Sequence, residues 1–165
     1  MPLVLIILLF FSAFVKSQTV DIFKISDGEY KFINKSSGNF IDNKVWNEIS
    51  PFNDGFYLGY DSLGLSYING DGILLSGVKY TSGRLFNFNR AAVYKDNKWG
   101  FINKNGSQII PLDFDFVYDF RDSVTFVIKN HRWSLVDTLG NLKTYLDIDY
   151  SWGFENGIAK VKRRD

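Results

Sequence analysis

The chain has 165 residues, of which 45% are hydrophobic, 18% aromatic and 22% charged, and its formal net charge is +1. Length and composition are those of one folded soluble domain. The absence of cysteine excludes disulfide bonds, zinc–thiolate sites and thiol nucleophiles. A chain so close to neutral also has no field that would attract nucleic acid or an anionic lipid surface.

Residues 1–17 differ in composition from the rest of the chain. Leu3 to Phe11 is an unbroken aliphatic and aromatic run, and Lys16 follows shortly after it. An apolar segment of about 13 residues is shorter than the roughly 20 that cross a bilayer, but it suits a secretory signal. We predict a signal peptide at 1–17 and a secreted or periplasmic location. An uncleaved anchor or a buried strand stays open as the alternative.

The remainder of the chain repeats with a period of about 34 residues, within the range typical of repeat arrays. Three series of mostly aromatic residues show the period, each with one member in each of four copies. The series are Phe52, Phe86, Phe120 and Phe154; Trp46, Tyr80, Phe114 and Ile148; and Phe32, Tyr67, Phe101 and Leu135. Such a period indicates an array of supersecondary units that cannot bury their apolar faces alone.

The array begins with a strand predicted at residues 19–25, in the place of the third strand of a copy. This strand either caps the first copy or closes the array against the last strand, and the sequence leaves both open. The copies follow at about residues 28–61, 62–97, 98–130 and 131–165, within a repeat domain of residues 18–165. Because one such unit is too small to fold alone, neighbouring copies are expected to bury each other's rings.

The third copy shows the pattern of three strands most clearly. A strand is predicted at residues 98–103, a tight hairpin turn at Asn105-Gly106, and a second strand that ends at Pro111. A third strand is predicted over residues 124–128. Glycine, proline or Asn-Gly interrupts every run within about ten residues, which excludes the helical repeats of similar length. The fold class is therefore all-β: about four three-stranded antiparallel repeats, solenoid-like or propeller-like, open or closed.

Residues 98–106, with the sequence Lys-Trp-Gly-Phe-Ile-Asn-Lys-Asn-Gly, are followed by Ile110-Pro111 and Phe114-Asp115. This arrangement resembles the unit of the bacterial WG β-repeat family. The fourth copy carries the pattern in Trp133, Gly140 and Phe154, whereas the first two copies have lost the tryptophan. The resemblance covers residues 28–165. It implies an all-β repeat common in exported or surface-associated bacterial proteins, with no general enzymatic activity and no catalytic residues.

Two pairs of carboxylates are the candidates for a metal site. Asp113 and Asp115 lie in the same register as Asp147 and Asp149, which follow one period later. On neighbouring strands these side chains would converge, as Ca²⁺ ligands or as the paired carboxylates of a glycosidase. Alternatively they are the polar half of an alternating strand. We favour this second interpretation, because the equivalent positions of the earlier copies are not acidic.

Exposed aromatic residues are the candidates for binding. Trp152, Tyr118 and Tyr150 could stack on sugar rings or on side chains of a partner, although core packing is the usual role of aromatic residues in a repeat. Trp152 stands out because it lies outside the three periodic series. His131, the single histidine, is expected in a solvated turn between the third and fourth copies.

The sequence thus favours an exported, non-catalytic binding or scaffold module for protein or polysaccharide ligands. We expect no cofactor, no nucleic acid and no membrane contact beyond the export signal. The alternative is a carbohydrate-active enzyme or Ca²⁺-dependent lectin that uses the four aspartates. The ligand, the organism and the oligomeric state do not follow from the sequence.

Overall fold

The structure is a computed structural model that describes residues 18–163, so the predicted signal peptide lies outside the described residues. The regular structure of the described part consists of strands. They are β1 Val20–Ser26, β2 Glu29–Asn34, β3 Glu48–Ile49, β4 Phe56–Asp61, β5 Gly64–Asn69, β6 Ser82–Gly83, β7 Arg90–Lys95, β8 Lys98–Asn103, β9 Gln108–Phe114, β10 Phe116–Val117, β11 Val124–Lys129, β12 Arg132–Asp137, β13 Leu142–Leu146, β14 Tyr150–Glu155 and β15 Ile158–Lys162. Between residues 18 and 163 there is no helix of a length and hydrophobicity that would cross a membrane.

These strands form five antiparallel sheets within residues 18–163. Sheet 1 contains β1 and β2, sheet 2 contains β3 to β5, and sheet 3 contains β6 to β9. Sheet 4 contains β10 to β13, and sheet 5 contains β14 and β15. Within each sheet, every strand pairs with its neighbour along the chain, so the prediction of an all-β array of antiparallel repeats is confirmed.

Sheets 2, 3 and 4 each combine strands from two consecutive sequence copies. In sheet 4, β10 and β11 come from the third copy and β12 and β13 from the fourth. The β11–β12 hairpin joins the two copies through Asn130 and His131, whose φ angles are 50° and 61°. Positive φ at both central residues is the geometry of a tight hairpin turn. This shared pairing makes the copies depend on each other for folding.

The turn around Gly106 differs from the two-residue hairpin that the sequence predicts. Gly106 has a φ of 78°, but Asn105 does not take the left-handed conformation. Instead, the Asn103 side chain accepts hydrogen bonds from the backbone N–H groups of Asn105, at 2.9 Å, and Ser107, at 3.0 Å. A side chain that folds the backbone over itself in this way replaces the tight turn.

The same side-chain cap closes the corresponding turn of the other copies. Asn34, Asn69 and Asp137 each accept two N–H groups of the following turn. Together with Asn103 they form a fourth series with the period of the repeat. This series fixes where each first strand ends.

The periodic phenylalanines fill the space between consecutive sheets. The Phe86 ring lies 4.6 Å from the ring of Phe56 in sheet 2, and the Phe120 ring lies 4.9 Å from the ring of Phe101 in sheet 3. Each of these two phenylalanines therefore packs on a ring of the preceding sheet. Phe86 and Phe120 are 3% and 1% exposed. Burying rings of this size between sheets is the main stabilising contribution that the repeat can make.

Gly100, the glycine of the Trp-Gly pair, lies where two strands approach closely. A Cβ atom at this position would lie 2.6 Å from the Ile110 carbonyl oxygen and 2.7 Å from that of Pro111. The β8–β9 ladder is irregular here, since Trp99 pairs with Phe114 while Phe101 pairs with Ile110. β9 therefore continues through a bulge, and the predicted end of the strand at Pro111 is wrong.

The leading strand predicted at residues 19–25 is β1, which pairs with β2. Val20 is fully buried in a cluster with Phe32, Trp46 and Tyr57. Within residues 18–163, no ladder joins β1 to β15. β1 is thus an edge strand of sheet 1, which agrees with the capping alternative.

Candidate functional site

The short strands of successive sheets present one face to the core and one to solvent. β3, β6, β10 and the start of β14 are equivalent, since each lies one period after the last. Val117 of β10 and Ser151 of β14 point inward and are 0% exposed. Because side chains alternate along a strand, the residues on either side of them point outward.

The outward positions hold a pair of residues in every copy. The four pairs are Glu48 and Ser50, Ser82 and Arg84, Phe116 and Tyr118, and Tyr150 and Trp152. The first two pairs contain polar or charged residues and the last two contain only aromatic residues. We refer to Phe116, Tyr118, Tyr150 and Trp152 as the aromatic row.

The two aromatic pairs share one geometry. The rings of Phe116 and Tyr118 lie 5.2 Å apart at an interplanar angle of 88°, and those of Tyr150 and Trp152 lie 4.8 Å apart at 81°. The structure thus brings the three predicted binding residues together on one surface. Trp152 belongs to the repeat after all, because it occupies the position of Tyr118. Phe116 was not predicted, although Tyr150 follows it by one period and this spacing is a signal that could have found it.

Trp133 packs beneath the aromatic row, next to one ring of each pair. Its ring lies 6.3 Å from both Tyr118 and Tyr150, stacked at 21° on the first and edge-on at 77° to the second. The indole N–H donates a hydrogen bond to the Asp149 carbonyl oxygen at 3.2 Å. Because this side chain is only 9% exposed, it supports the row mostly from the core side.

A bulge in β14 directs Trp152 outward. The β14–β15 register shifts between Ser151 and Phe154, and Gly153 has a φ of 82°. A Cβ atom on Gly153 would lie 3.4 Å from the Tyr118 ring, so the bulge rests against that ring. The Tyr118 hydroxyl donates to the Ser151 carbonyl oxygen at 2.5 Å. Bulges commonly re-aim a side chain in this way, and Trp152 is 53% exposed.

Beside the row lies a cleft of about 270 Å³. Its lining includes Tyr118, Trp152 and four charged side chains, those of Arg84, Asp119, Arg121 and Glu155. Two of these charges are positive and two are negative. The cleft therefore combines aromatic surface with hydrogen-bond donors and acceptors and carries no net charge.

Arg84 is held rigidly at one end of the cleft. Its guanidinium group lies 4.6 Å from the Trp99 ring and donates to the Val117 carbonyl oxygen at 2.9 Å. It also donates to the Asp119 carboxylate at 3.2 Å. Stacking and charge-assisted hydrogen bonds together fix the planar group before any ligand arrives. Arg84 was not predicted either, because the second copy has neither the tryptophan nor the glycine of the family pattern.

The Tyr118 hydroxyl stays protonated at the edge of the aromatic row. Burial raises its pKa, and a hydrogen bond with Tyr150 raises it further. A neutral phenol can donate a hydrogen bond, which a phenolate cannot. Tyr118 therefore keeps its bond to the bulge over the physiological pH range.

The predicted carboxylates take a different part in the structure. Asp113 forms an ion pair with Lys129, and Asp115 forms one with Lys98 at 2.5 Å. The Lys98 hydrogen bond lowers the pKa of Asp115, and the backbone N–H of His131 contributes as well. His131 lies in the β11–β12 turn, as the sequence predicts. These two aspartates therefore balance lysines on neighbouring strands.

Asp147 and Asp149 lie elsewhere, on the rim of a second cleft of about 350 Å³ that also contains His131 and Trp133. Both aspartates are exposed. No three Asp, Glu or His side chains in the described part of the chain are placed to hold a metal ion together. A calcium site needs at least six oxygen ligands, and this geometry does not assemble them from the four aspartates.

The C-terminal half of the array matches a known protein family. Residues 99–133 and 133–165 match the WG containing repeat in two successive units. The predicted resemblance is confirmed for the third and fourth copies. The two WG units begin at Trp99 and Trp133, and they carry one aromatic pair each. The whole aromatic row thus lies inside the WG repeats, whereas Arg84 reaches it from the preceding copy.

Solved structures add a more distant likeness. The crystal structure of BamB from Moraxella catarrhalis is similar at a TM-score of 0.44 and 7% sequence identity, over 77% of this chain and 46% of that chain. This chain therefore spans less than half the length of that structure. A likeness of this degree identifies neither a ligand nor a partner. No curated protein matches the sequence.

Proposed function

We propose that the protein is an exported, non-catalytic binding module whose WG repeats hold a protein or polysaccharide ligand against the aromatic row. One observation carries the proposal: the same outward position is aromatic in two successive sheets, beside a cleft with fixed charged groups. Exposed aromatic surface next to oriented polar groups is typical of recognition sites. The composition of residues 1–17 supports export.

The cost of exposure also supports binding. Trp152 and Tyr150 are 53% and 46% exposed, although aromatic side chains are among those that gain most from burial. The first two copies place Glu48 and Ser82 at the position of Tyr150, so polar residues are compatible with the repeat. The repeat therefore does not require a ring at the position of Tyr150, and covering the two exposed rings with a ligand would recover the free energy of burial.

The absence of catalysis is proposed on two grounds. The WG containing repeat is a repeat family, and its pattern supplies no catalytic residue that could be placed on this chain. In the cleft, moreover, the Asp119 carboxylate is already engaged by the Arg84 guanidinium. We assign the charged groups of the cleft to orienting a ligand.

Retention on immobilised material tests the proposal. The mature chain would be passed over a panel of insoluble polysaccharides and over envelope extract coupled to a resin, beside the variants Trp152→Ala and Leu139→Ala. Leu139 is 77% exposed and lies in the β12–β13 turn, which makes it a matched control. We expect retention of the parent and the Leu139 variant and loss of the Trp152 variant. Equal retention of all three would contradict a binding role for the row.

Export has its own test. Expressed with residues 1–17, the chain should be recovered outside the cytoplasm with a new N-terminus at Gln18, as determined by N-terminal sequencing. Recovery of the intact chain in the cytoplasmic fraction would contradict export and leave the binding proposal standing.

A further inference from the structure

We propose that the ligand of the aromatic row is a neutral polysaccharide, whose sugar rings stack on Trp152 and Tyr118 while its hydroxyl groups bond to the charged side chains of the cleft. This inference rests on the proposed binding function and names the chemical class of the ligand. It follows from three properties of the site: its periodicity, its mixture of aromatic and polar groups, and its balance of charge.

Periodicity is the first argument. Phe116 and Tyr118 in sheet 4 and Tyr150 and Trp152 in sheet 5 are equivalent residues of the repeat, with nearly equal ring distances and angles. Neighbouring sheets thus repeat the same pair of rings, half-buried in sheet 4, where Arg84 lies 5.6 Å from the Phe116 ring, and exposed in sheet 5. A polymer of ring units can place one unit on Trp152 and the next beside Tyr118, whereas a folded protein surface has no such regularity.

The chemistry of the cleft is the second argument. A pyranose ring has an apolar C–H face that packs on an aromatic ring and a rim of hydroxyl groups that both donate and accept hydrogen bonds. Trp152 supplies the flat surface, and Arg121 and Glu155 lie around the same cleft as a donor and an acceptor. Arg84 and Asp119 form a second donor and acceptor, already held in place by their mutual hydrogen bond. Fixed polar groups of both kinds suit a ligand rich in hydroxyl groups.

The balance of charge is the third argument. Arg84 and Arg121 are matched by Asp119 and Glu155, so the cleft offers no excess charge to an acidic peptide or an acidic glycan. Lys160 lies 5.0 Å from the Trp152 ring, but it lines a neighbouring hollow and not the cleft. A neutral ligand therefore fits better than an anionic one.

A proline-rich peptide is the strongest competing ligand, because proline rings also pack on tryptophan and tyrosine. Proline has no side-chain donor or acceptor, however, and its nitrogen carries no hydrogen. Its carbonyl oxygens can accept from Arg84 and Arg121, but it offers no donor to Asp119 and Glu155 while it displaces their water. Desolvating polar groups without replacing their hydrogen bonds opposes binding.

Nuclear magnetic resonance of the tryptophan indole groups provides the test. The chain has four tryptophans, and the Trp152→Ala variant assigns the signal of Trp152 by its disappearance. The mature chain would be titrated with cellohexaose, laminarihexaose and chitohexaose as neutral probes. A hexamer of galacturonic acid and a ten-residue proline-rich peptide are the competing probes. Affinities of the variants Trp152→Ala, Trp152→Tyr and Leu139→Ala would be measured by calorimetry.

We expect at least one neutral hexasaccharide to shift the Trp152 signal. Trp152→Ala should weaken its affinity by about tenfold or more, Trp152→Tyr by less, and Leu139→Ala should leave it unchanged. Equal melting temperatures of the variants show that the weakening is not caused by unfolding.

The contrary outcomes separate this inference from the proposed function. If none of the neutral probes binds, or if only the acidic hexamer or the peptide shifts the Trp152 signal, the polysaccharide inference is overturned. The proposed function then survives, provided that retention on envelope extract still depends on Trp152. If that retention is independent of Trp152, both are overturned.

Discussion

The inward and outward faces of the short strands differ in the residues that they carry. On the inward face, Val117 and Ser151 are fully buried in equivalent places. On the outward face, the position that is Glu48 in the first copy becomes Phe116 in the third. The inward positions vary as well, from Ile49 and Gly83 to Val117 and Ser151, so the periodic rings and not the short strands specify the fold. The outward positions can then change from polar to aromatic and acquire a binding role.

Removing a ring from between the sheets should break the fold most severely. Phe120 is 1% exposed and packs on Phe101 at 4.9 Å. We expect Phe120→Ala to lower the free energy of unfolding by about 3–5 kcal/mol, because a cavity remains where the ring was. Urea denaturation measures the change. Phe88→Ala is the control, since Phe88 is 55% exposed, and a comparable loss in this variant would contradict the distinction between the buried periodic rings and the exposed rings.

The close approach at Gly100 should give the next largest effect. A methyl group there meets two carbonyl oxygens of β9 within 2.7 Å, so the backbone must shift. We expect Gly100→Ala to cost about 1–3 kcal/mol of unfolding free energy. Gly77→Ala serves as the control, because its Cβ would meet nothing within 4 Å. Thermal unfolding of both variants checks the prediction, and equal stability would show that β9 does not need the glycine.

Asp61 is a charged residue that should contribute to stability. It binds Lys44 at 2.8 Å and Lys79 at 2.5 Å, and its side chain is 11% exposed. Burial acts to raise the pKa of Asp61, but the two lysine hydrogen bonds outweigh it and hold the pKa well below its usual value. We expect Asp61→Asn to cost about 1–2 kcal/mol at neutral pH, because both lysines lose their shared partner.

The pH dependence of that loss follows from the direction of the shift. A carboxylate whose pKa is lowered by folding contributes its full stabilisation above its unfolded pKa of about 3.9, and this is lost as the pH falls through the folded value. The difference between parent and Asp61→Asn should therefore be constant from pH 7 to about 5 and shrink in more acid solution. Urea midpoints at several pH values measure it, and a difference that grows below pH 4 would contradict the assigned role of the two ion pairs.

The smallest effect is expected at a buried hydroxyl group. Among the described residues, the Ser66 hydroxyl finds no hydrogen-bond partner, whereas the Ser134 hydroxyl bonds to the Thr144 carbonyl oxygen. Ser66→Ala should change the free energy of unfolding by less than about 0.5 kcal/mol or raise it, while Ser134→Ala should lower it by about 1 kcal/mol. Denaturation curves that reverse this order would show that Ser66 has a partner in solution.

The period was sufficient to predict the buried rings, and the glycines and prolines that interrupt every run were sufficient to predict an all-β fold class. Phe86 and Phe120 recur at a fixed interval, and only a repeated core explains rings at that spacing. The hairpins were harder to predict, because Asn105-Gly106 fits a tight turn by composition. The Asn103 side chain decides the outcome, and Asp96-Asn97 and Asn130-His131 form the tight turns instead. Local turn preferences could not show this competition.

The site was predictable only in part, for a related reason. Tyr118, Tyr150 and Trp152 are recognisable as aromatic residues outside the core pattern, but their grouping depends on how the short strands stack. Arg84 has no distinguishing neighbour in the sequence. The alternation around Asp113 correctly indicates a polar face, yet its lysine partner lies 16 residues away on another strand. Pairings between strands of this kind follow from the register of the sheets and not from a motif.

One measurement tests the central claim most directly: the free energy of unfolding of Trp152→Ala beside its retention on the material that the parent chain binds. Phe154→Ala, at the next position but one and packed on Phe126 at 4.9 Å, is the companion variant. We predict that Trp152→Ala unfolds within about 0.5 kcal/mol of the parent and loses retention, whereas Phe154→Ala is clearly destabilised. A Trp152→Ala variant that unfolds as readily as Phe154→Ala, or that is still retained, would contradict the assignment of the aromatic row to binding.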